Sequence, residues 1–152
     1  FQKEFSRIMS LKEGSKKMSK SELSDLSRIN LTDDKDQIIN KIKKAKTDPL
    51  PMPKTIKELD ERLEAKNLIG IYSSLTNSTM EKSVESFAGK NFSEFKEKLS
   101  QVLVDKIEPI SLEIKKLLDD QSYLDKILLE GVEKANLIAS KKIKKIKEIV
   151  GF

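Results

Sequence analysis

The chain has 152 residues, a formal charge of +5, and no Cys, His or Trp. That composition excludes thiol nucleophiles, disulfides, nitrogen or sulfur metal sites and any catalytic triad that needs His. No apolar run nears the ~18 residues of a membrane span and no signal-peptide pattern opens the chain. The expectation is a cytoplasmic chain of one domain, or one and a fraction, with no membrane partner.

Of 30 basic residues only Arg7, Arg28 and Arg62 are arginine. So lysine-rich a surface reads mostly as solvated charge, and a basic balance only permits a nucleic-acid partner. The dense clusters Lys41–Lys46 and Lys141–Lys147 are the candidates for contacting RNA phosphates. The first thirty residues scatter Phe1, Phe5, Ile8, Met9 and Leu11 without a face that could form a core. With a start at Phe1 rather than Met, the chain reads as a fragment or a truncated piece of a longer protein.

Within it, Gly14-Ser15-Lys16-Lys17-Met18-Ser19-Lys20-Ser21 packs three ammonium groups and three hydroxyls into eight residues. Its glycine and serines predict a mobile segment, with no apolar periodicity to tie it to a core. Lysines are compact charges on flexible stems, suited to following a polyphosphate through a reaction. The plain alternative is a solvated loop. A P-loop spacing is nearly met, but Ser19 stands where the second glycine belongs and no apolar strand leads into Gly14.

Helical signals dominate after Asn30. Leu31-Thr32-Asp33-Asp34 offers capping oxygens, and Ile38, Ile39, Ile42 and Ala45 recur at helical spacing up to a stop before Pro49. Pro49, Pro51 and Pro53 predict a stiff linker. One helix is expected over 57–75, with Leu59, Leu63, Leu68, Ile71, Tyr72 and Leu75 inward and Gly70 at a close helix contact. Ser78 with Glu81 reads as a capping box for a short helix burying Met80, Val84 and Phe87 and ending at Gly89. A long helix then starts from Asn91, with Phe92, Phe95, Leu99, Val102, Ile107, Ile110, Ile114 and Leu117 in one stripe and a kink at Pro109. Asp119-Asp120 marks its end. The final helix, 121–150, carries Leu124, Ile127, Leu128, Ala135, Ile138, Ala139, Ile146 and Ile149, with Gly131 as a point of bending or division. No strand is foreseen: the fold class is all-α after residue 31.

Lys17-Met18-Ser19-Lys20-Ser21 spells the signature loop of class I aminoacyl-tRNA synthetases. Around it, in order, stand Ser6-Arg7-Ile8-Met9-Ser10-Leu11, Lys44-Ala45-Lys46-Thr47-Asp48 and Arg62-Leu63-Glu64-Ala65-Lys66-Asn67-Leu68-Ile69-Gly70-Ile71-Tyr72. Phe87-Ala88-Gly89-Lys90-Asn91 with Phe95-Lys96, Glu130-Gly131-Val132-Glu133-Lys134-Ala135 and the closing Val150-Gly151-Phe152 continue the pattern. With these segments the chain resembles the C-terminal half of the bacterial tryptophanyl-tRNA synthetase family. The tyrosine-specific relative usually spells its loop differently.

The resemblance implies a remnant of a Rossmann-like catalytic domain over 1–30, a helical anticodon-recognising small domain over 31–120, and a C-terminal helix over 121–152 that packs back toward the catalytic domain. It implies a homodimeric parent that converts tryptophan and ATP, with Mg2+, to tryptophanyl-adenylate and then charges tRNA(Trp). Lys17 and Lys20 would be catalytic, binding the ATP phosphates, with Ser19 and Ser21 adding hydroxyl contacts and Met18 near the adenine. No metal ligand and no tightly bound cofactor is expected in the chain itself. Lys16 lies outside the motif, and Glu22 stands where the family often has Asp. The family's His-rich ATP motif, its parallel sheet and its tryptophan pocket are not in this sequence, so the chain alone is expected to be inactive and its loop mobile. A free-standing helical RNA-binding module and a purely structural bundle are the competing readings.

Overall fold

A computed structural model describes residues 7–151. Among them a non-helical opening with one 3-10 turn at Asp25–Ser27 leads into six α-helices. These are α1 Lys35–Lys43, α2 Ile56–Asp60, α3 Leu63–Thr76, α4 Met80–Phe87, α5 Phe92–Asp119 and α6 Gln121–Val150. The all-α expectation holds, and the one β-like feature among the described residues is an isolated antiparallel bridge between Met9 and Lys17. The chain divides into two compact units, one ending at Leu112 and one beginning at Glu113.

In the first unit, α1 opens on a capping box. The Asp34 carboxylate accepts from the Gln37 N–H and the Gln37 side chain accepts from the Asp34 N–H, each at 2.9 Å. The helix turns Ile38 and Ile42 fully inward, while Ile39 is exposed. It stops well before Pro49. The Lys96 ammonium from α5 donates to Lys43 O at 3.2 Å and Ala45 O at 2.6 Å, taking carbonyls that the helix end leaves unpaired.

The proline stretch is not a free spacer. Met52 and Pro53 are buried, and Met52 exchanges backbone hydrogen bonds with the α4–α5 turn, from its N–H to Lys90 O at 2.8 Å and from Gly89 N–H to its carbonyl at 3.1 Å. Gly89 sits at φ 71°, where a side chain would be strained.

The single helix expected over 57–75 is two. Arg62 breaks it with φ −123° and ψ 83°. Its guanidinium forks onto Asp48, Nε to Oδ2 at 2.8 Å and Nη2 to Oδ1 at 2.6 Å, and also donates to Pro51 O at 2.7 Å. That bidentate grip on a residue outside the helix fixes the arginine where local periodicity would continue the turn. Leu63, just after the break, is consequently exposed rather than inward. The following cap also shifts by one residue: Thr79, not Ser78, accepts from Lys82 N–H. Ser78 instead donates its N–H to Ser73 O behind a left-handed Asn77, which ends α3 in a Schellman turn.

These helices enclose one apolar core. Tyr72, Phe87 and Phe95 meet edge to face with centroids 4.9 to 6.0 Å apart. Ile38, Ile42, Leu59, Leu68, Ile69 and Leu99 are buried around them, with Leu11 from the opening segment. The helix α5 runs through Pro109 without ending.

In the second unit, α6 starts where Asp120 accepts from Tyr123 N–H at 3.0 Å and ends at Gly151, φ 83°. Gly131 does not divide it. No residue of α6 is buried, and its apolar side chains, Leu128 and Ile138 among them, stand exposed.

Candidate functional site: the lysine hairpin

Residues 8–18 fold as a tight hairpin. Ser10 N–H donates to Lys16 O at 2.8 Å and Met18 N–H donates to Ile8 O at 3.0 Å, which sets Met9 opposite Lys17. The turn closes with Lys16 N–H on Glu13 O at 3.0 Å. Side chains alternate along such a strand. Accordingly Met18 packs against the core while Lys17 and Ser19 face solvent. Beyond the strand, Ser21 N–H donates to Ser19 Oγ at 3.2 Å, a local turn that brings Lys20 to the exposed tip.

The expectation of a segment without ties to the core is therefore corrected. Leu11 is 2% exposed, and its backbone is held on both sides: its N–H donates to Ser27 O at 2.9 Å and its carbonyl accepts from Lys46 N–H at 2.7 Å. Gly14 is buried, and an added Cβ would lie 2.9 Å from Glu64 N and from Leu63 C. This glycine serves close backbone approach to α3 rather than looseness. Phe1, Phe5 and Ser6, read above with this segment, lie outside the described residues.

Electrostatics then separate three neighbouring lysines. Lys16 pairs with Glu13 at 2.8 Å. The hydrogen bond between them holds the Glu13 carboxyl below the usual carboxylate range and raises the Lys16 ammonium above its ordinary value. Lys17 and Lys20 make no ion pair among the described residues, and both are exposed. Two uncompensated ammonium groups with Ser19 and Ser21 between and beside them form a surface that attracts a polyanion.

The Lys41–Lys46 cluster has a different fate. Lys41, expected among RNA-facing charges, is 3% exposed, with Nζ 2.7 Å from Asp33 Oδ2 and 2.6 Å from Asp25 Oδ2. The Lys41 hydrogen bond, helped by Asn30, lowers the Asp25 carboxyl pKa. Lys46 pairs with Glu64 at 3.0 Å, and that hydrogen bond, opposed by partial burial, holds the Glu64 carboxyl low. Of this cluster Lys43, Lys44 and the paired Lys46 remain exposed, and so do Lys141, Lys142, Lys144, Lys145 and Lys147 on α6.

Sequence reasoning missed the partners that hold the hairpin. The chief one is Asn67 on α3, 9% exposed, whose amide bonds the backbone of Met9. Its signal was a polar residue at an inward helical position, one step before Leu68 and at α-helical spacing from Leu63 and Ile71.

The chain matches the family described as tRNA synthetases class I (W and Y) over residues 2–107. It is 49% identical over 146 residues to the tryptophan--tRNA ligase of Agrobacterium fabrum, which covers 96% of this chain and 41% of that protein. The tryptophan--tRNA ligase of Rickettsia felis is 47% identical, covering 96% of this chain and 44% of that one. In fold it resembles the crystal structures of tryptophanyl-tRNA synthetase from Mycoplasma pneumoniae (TM-score 0.70, 22% identity) and Campylobacter jejuni (TM-score 0.71, 23% identity). Each likeness covers 96% of this chain and 44% of the other. The chain thus spans about two-fifths of the length of the curated relatives it matches. With most of its length inside that family match, the chain belongs to the class I tRNA synthetases of the W and Y group.

Proposed function

We propose that this chain is the C-terminal part of a tryptophan--tRNA ligase, contributing the lysine loop of the ATP site and a helical body that meets tRNA(Trp). In the whole protein, tryptophan attacks the α-phosphorus of ATP through its carboxylate and pyrophosphate leaves. Lys17 and Lys20 take the ATP phosphates, delivered with Mg2+, and gain contact as negative charge builds on the departing pyrophosphate. Ser19 and Ser21 add hydroxyl donors. Such catalysis is positioning plus electrostatics and asks no proton transfer of the loop.

One observation carries this reading: within a hairpin anchored on helix α3, Lys16 is paired with Glu13 while the motif lysines Lys17 and Lys20 stand exposed and make no ion pair among the described residues. Tryptophan rather than tyrosine as substrate rests on the relatives' specificity. The catalytic sheet and the amino-acid pocket belong to the rest of the whole protein, so this chain by itself is inactive in the proposal. We further propose divisions at 1–30, 31–120 and 121–152 for the catalytic-domain end, the small domain and the C-terminal helix.

The test is amino-acid-dependent pyrophosphate–ATP exchange by the full-length protein. Tryptophan should support exchange, and the Lys17→Ala/Lys20→Ala double variant should lose about 10³-fold in kcat. Exchange driven by tyrosine, or a double variant as active as the parent, would sink the proposal.

A further inference from the structure

In the hairpin, Met9 and Lys17 face each other without bonding each other, because the paired hydrogen bonds lie on either side, at Ser10–Lys16 and Met18–Ile8. In such an antiparallel pair the N–H and C=O of Met9 point outward, away from the partner strand. They would be the open edge of a two-stranded ribbon. A hairpin of this length, with no third strand, is marginal on its own.

Asn67 closes that edge. Its Oδ1 accepts from Met9 N–H at 2.9 Å and its Nδ2 donates to Met9 O at 2.8 Å, across 58 residues of sequence. A carboxamide carries the same donor and acceptor as a peptide group, so one side chain on α3 stands in for a neighbouring strand. The first turns of α3 hold the hairpin at a second point three residues earlier. Glu64 lies against the Gly14 backbone, its N 2.9 Å from where a Cβ on Gly14 would sit, and its carboxylate pairs with Lys46. Residues three apart share a helix face. The two grips therefore come from one surface of α3, at the base and at the turn of the hairpin that carries Lys17.

We propose that Asn67 is a positioning residue for adenylate formation. By pairing with both backbone groups of Met9 it fixes the strand opposite Lys17, and so the place at which the Lys17 and Lys20 ammonium groups meet the ATP phosphates. The proposal rests on the reading of those lysines given above. The alternatives of similar size fall short: Ala leaves a partly buried N–H and carbonyl without their protein partner, and Asp keeps the acceptor but sets a carboxylate against the Met9 carbonyl.

The experiment uses the full-length protein with Asn67→Ala, Asn67→Asp and a control, Ser73→Ala. Ser73 is buried on the same helix and donates to Ser83 Oγ at 2.7 Å, away from the hairpin, so its loss gives a destabilised but unrelated variant. Two readouts are taken: trypsin cleavage after Lys16, Lys17 and Lys20, and tryptophan-dependent pyrophosphate exchange. Both Asn67 variants should be cut in the loop about tenfold faster than Ser73→Ala, with other sites unchanged. Their exchange should fall about 10- to 100-fold in kcat with the tryptophan KM preserved, as misplaced catalytic groups do. In a Lys17→Ala/Lys20→Ala background the same substitution should cost less than about threefold, because a residue acting only through those lysines has nothing left to position.

Loop cleavage equal to that of Ser73→Ala overturns the proposal, and so does an undiminished loss in the lysine-free background. If the unsubstituted protein fails to exchange with tryptophan, the activity reading falls on its own, and the protease comparison still decides whether Asn67 holds the hairpin.

Discussion

Residues 16–20 and 41–46 are close to equal in lysine density, and on composition alone they invite the same reading. Their structural fates part at one residue. In each stretch one exposed lysine is paired, Lys16 with Glu13 and Lys46 with Glu64, and two stand open to solvent, Lys17 and Lys20 or Lys43 and Lys44; only the second adds a lysine, Lys41, buried between carboxylates. The difference lies in the surroundings. Lys41 sits on the inner side of α1 with Ile38 and Ile42, where an ammonium is tolerated only with counter-charge. Lys17 sits on the solvent side of a strand whose alternate residue, Met18, takes the core. Lysines of similar clusters thus become buried or exposed according to which face of which element carries them.

The sharpest way to break this comparison is to remove the buried member. Lys41→Met should destabilise the protein by about 3 kcal/mol, because it leaves Asp33, itself 4% exposed, without its counter-charge. The companion Lys41→Met/Asp33→Asn should recover much of that loss, which a double-mutant cycle by denaturant unfolding would read. The acid limb carries a second sign. A carboxyl held low in the folded state stabilises it above the unfolded value of about 3.9 and loses that contribution as pH falls through the folded value. The lowered Asp25 should therefore make the parent lose stability below about pH 4, and Lys41→Met should flatten that part of the curve. An unchanged unfolding midpoint in Lys41→Met would mean that Lys41 is no more structural than the exposed lysines.

How much of this was legible depended on whether the deciding contact was local. The helices α1, α4, α5 and α6 announced themselves through apolar spacing and capping residues that act within a turn or two. The break between α2 and α3 did not, because it comes from Arg62 reaching Asp48 across 14 residues of sequence. In the site, the letters of the loop were readable. Its attachment was not: the partners of Met9 and Leu11 are Asn67, Ser27 and Lys46, each brought there only by folding. The burial of Lys41 was obscured for the same reason, since Asp25 and Asp33 precede it in a non-helical segment whose path no periodicity describes.

A middle-sized effect tests whether the hairpin is anchored or merely adjacent. Gly14→Ala introduces a methyl group 2.9 Å from the backbone of Leu63 and Glu64, neither of which can swing aside as a side-chain tip could. Overpacking of that kind costs about 1–3 kcal/mol. The expected result is a lower unfolding midpoint together with faster trypsin cleavage after Lys16, Lys17 and Lys20. If the glycine were there for looseness, alanine would instead slow cleavage and leave stability unchanged or raised.

The smallest effect sharpens the division inside the loop itself. Lys16→Gln removes an ammonium that already shares its charge with Glu13 in an exposed pair, an arrangement that solvent screening leaves with little weight in stability. Because the Glu13 carboxyl is held low, that pair is fully ionised at neutral pH and presents almost no net charge to an approaching phosphate. Pyrophosphate exchange by the full-length Lys16→Gln protein should then stay within about threefold of the parent, whereas Lys17→Gln alone should lose about 100-fold. Equal losses for the two would show that the loop acts through its summed charge, and that the pairing of Lys16 with Glu13 has no bearing on which lysines meet the nucleotide.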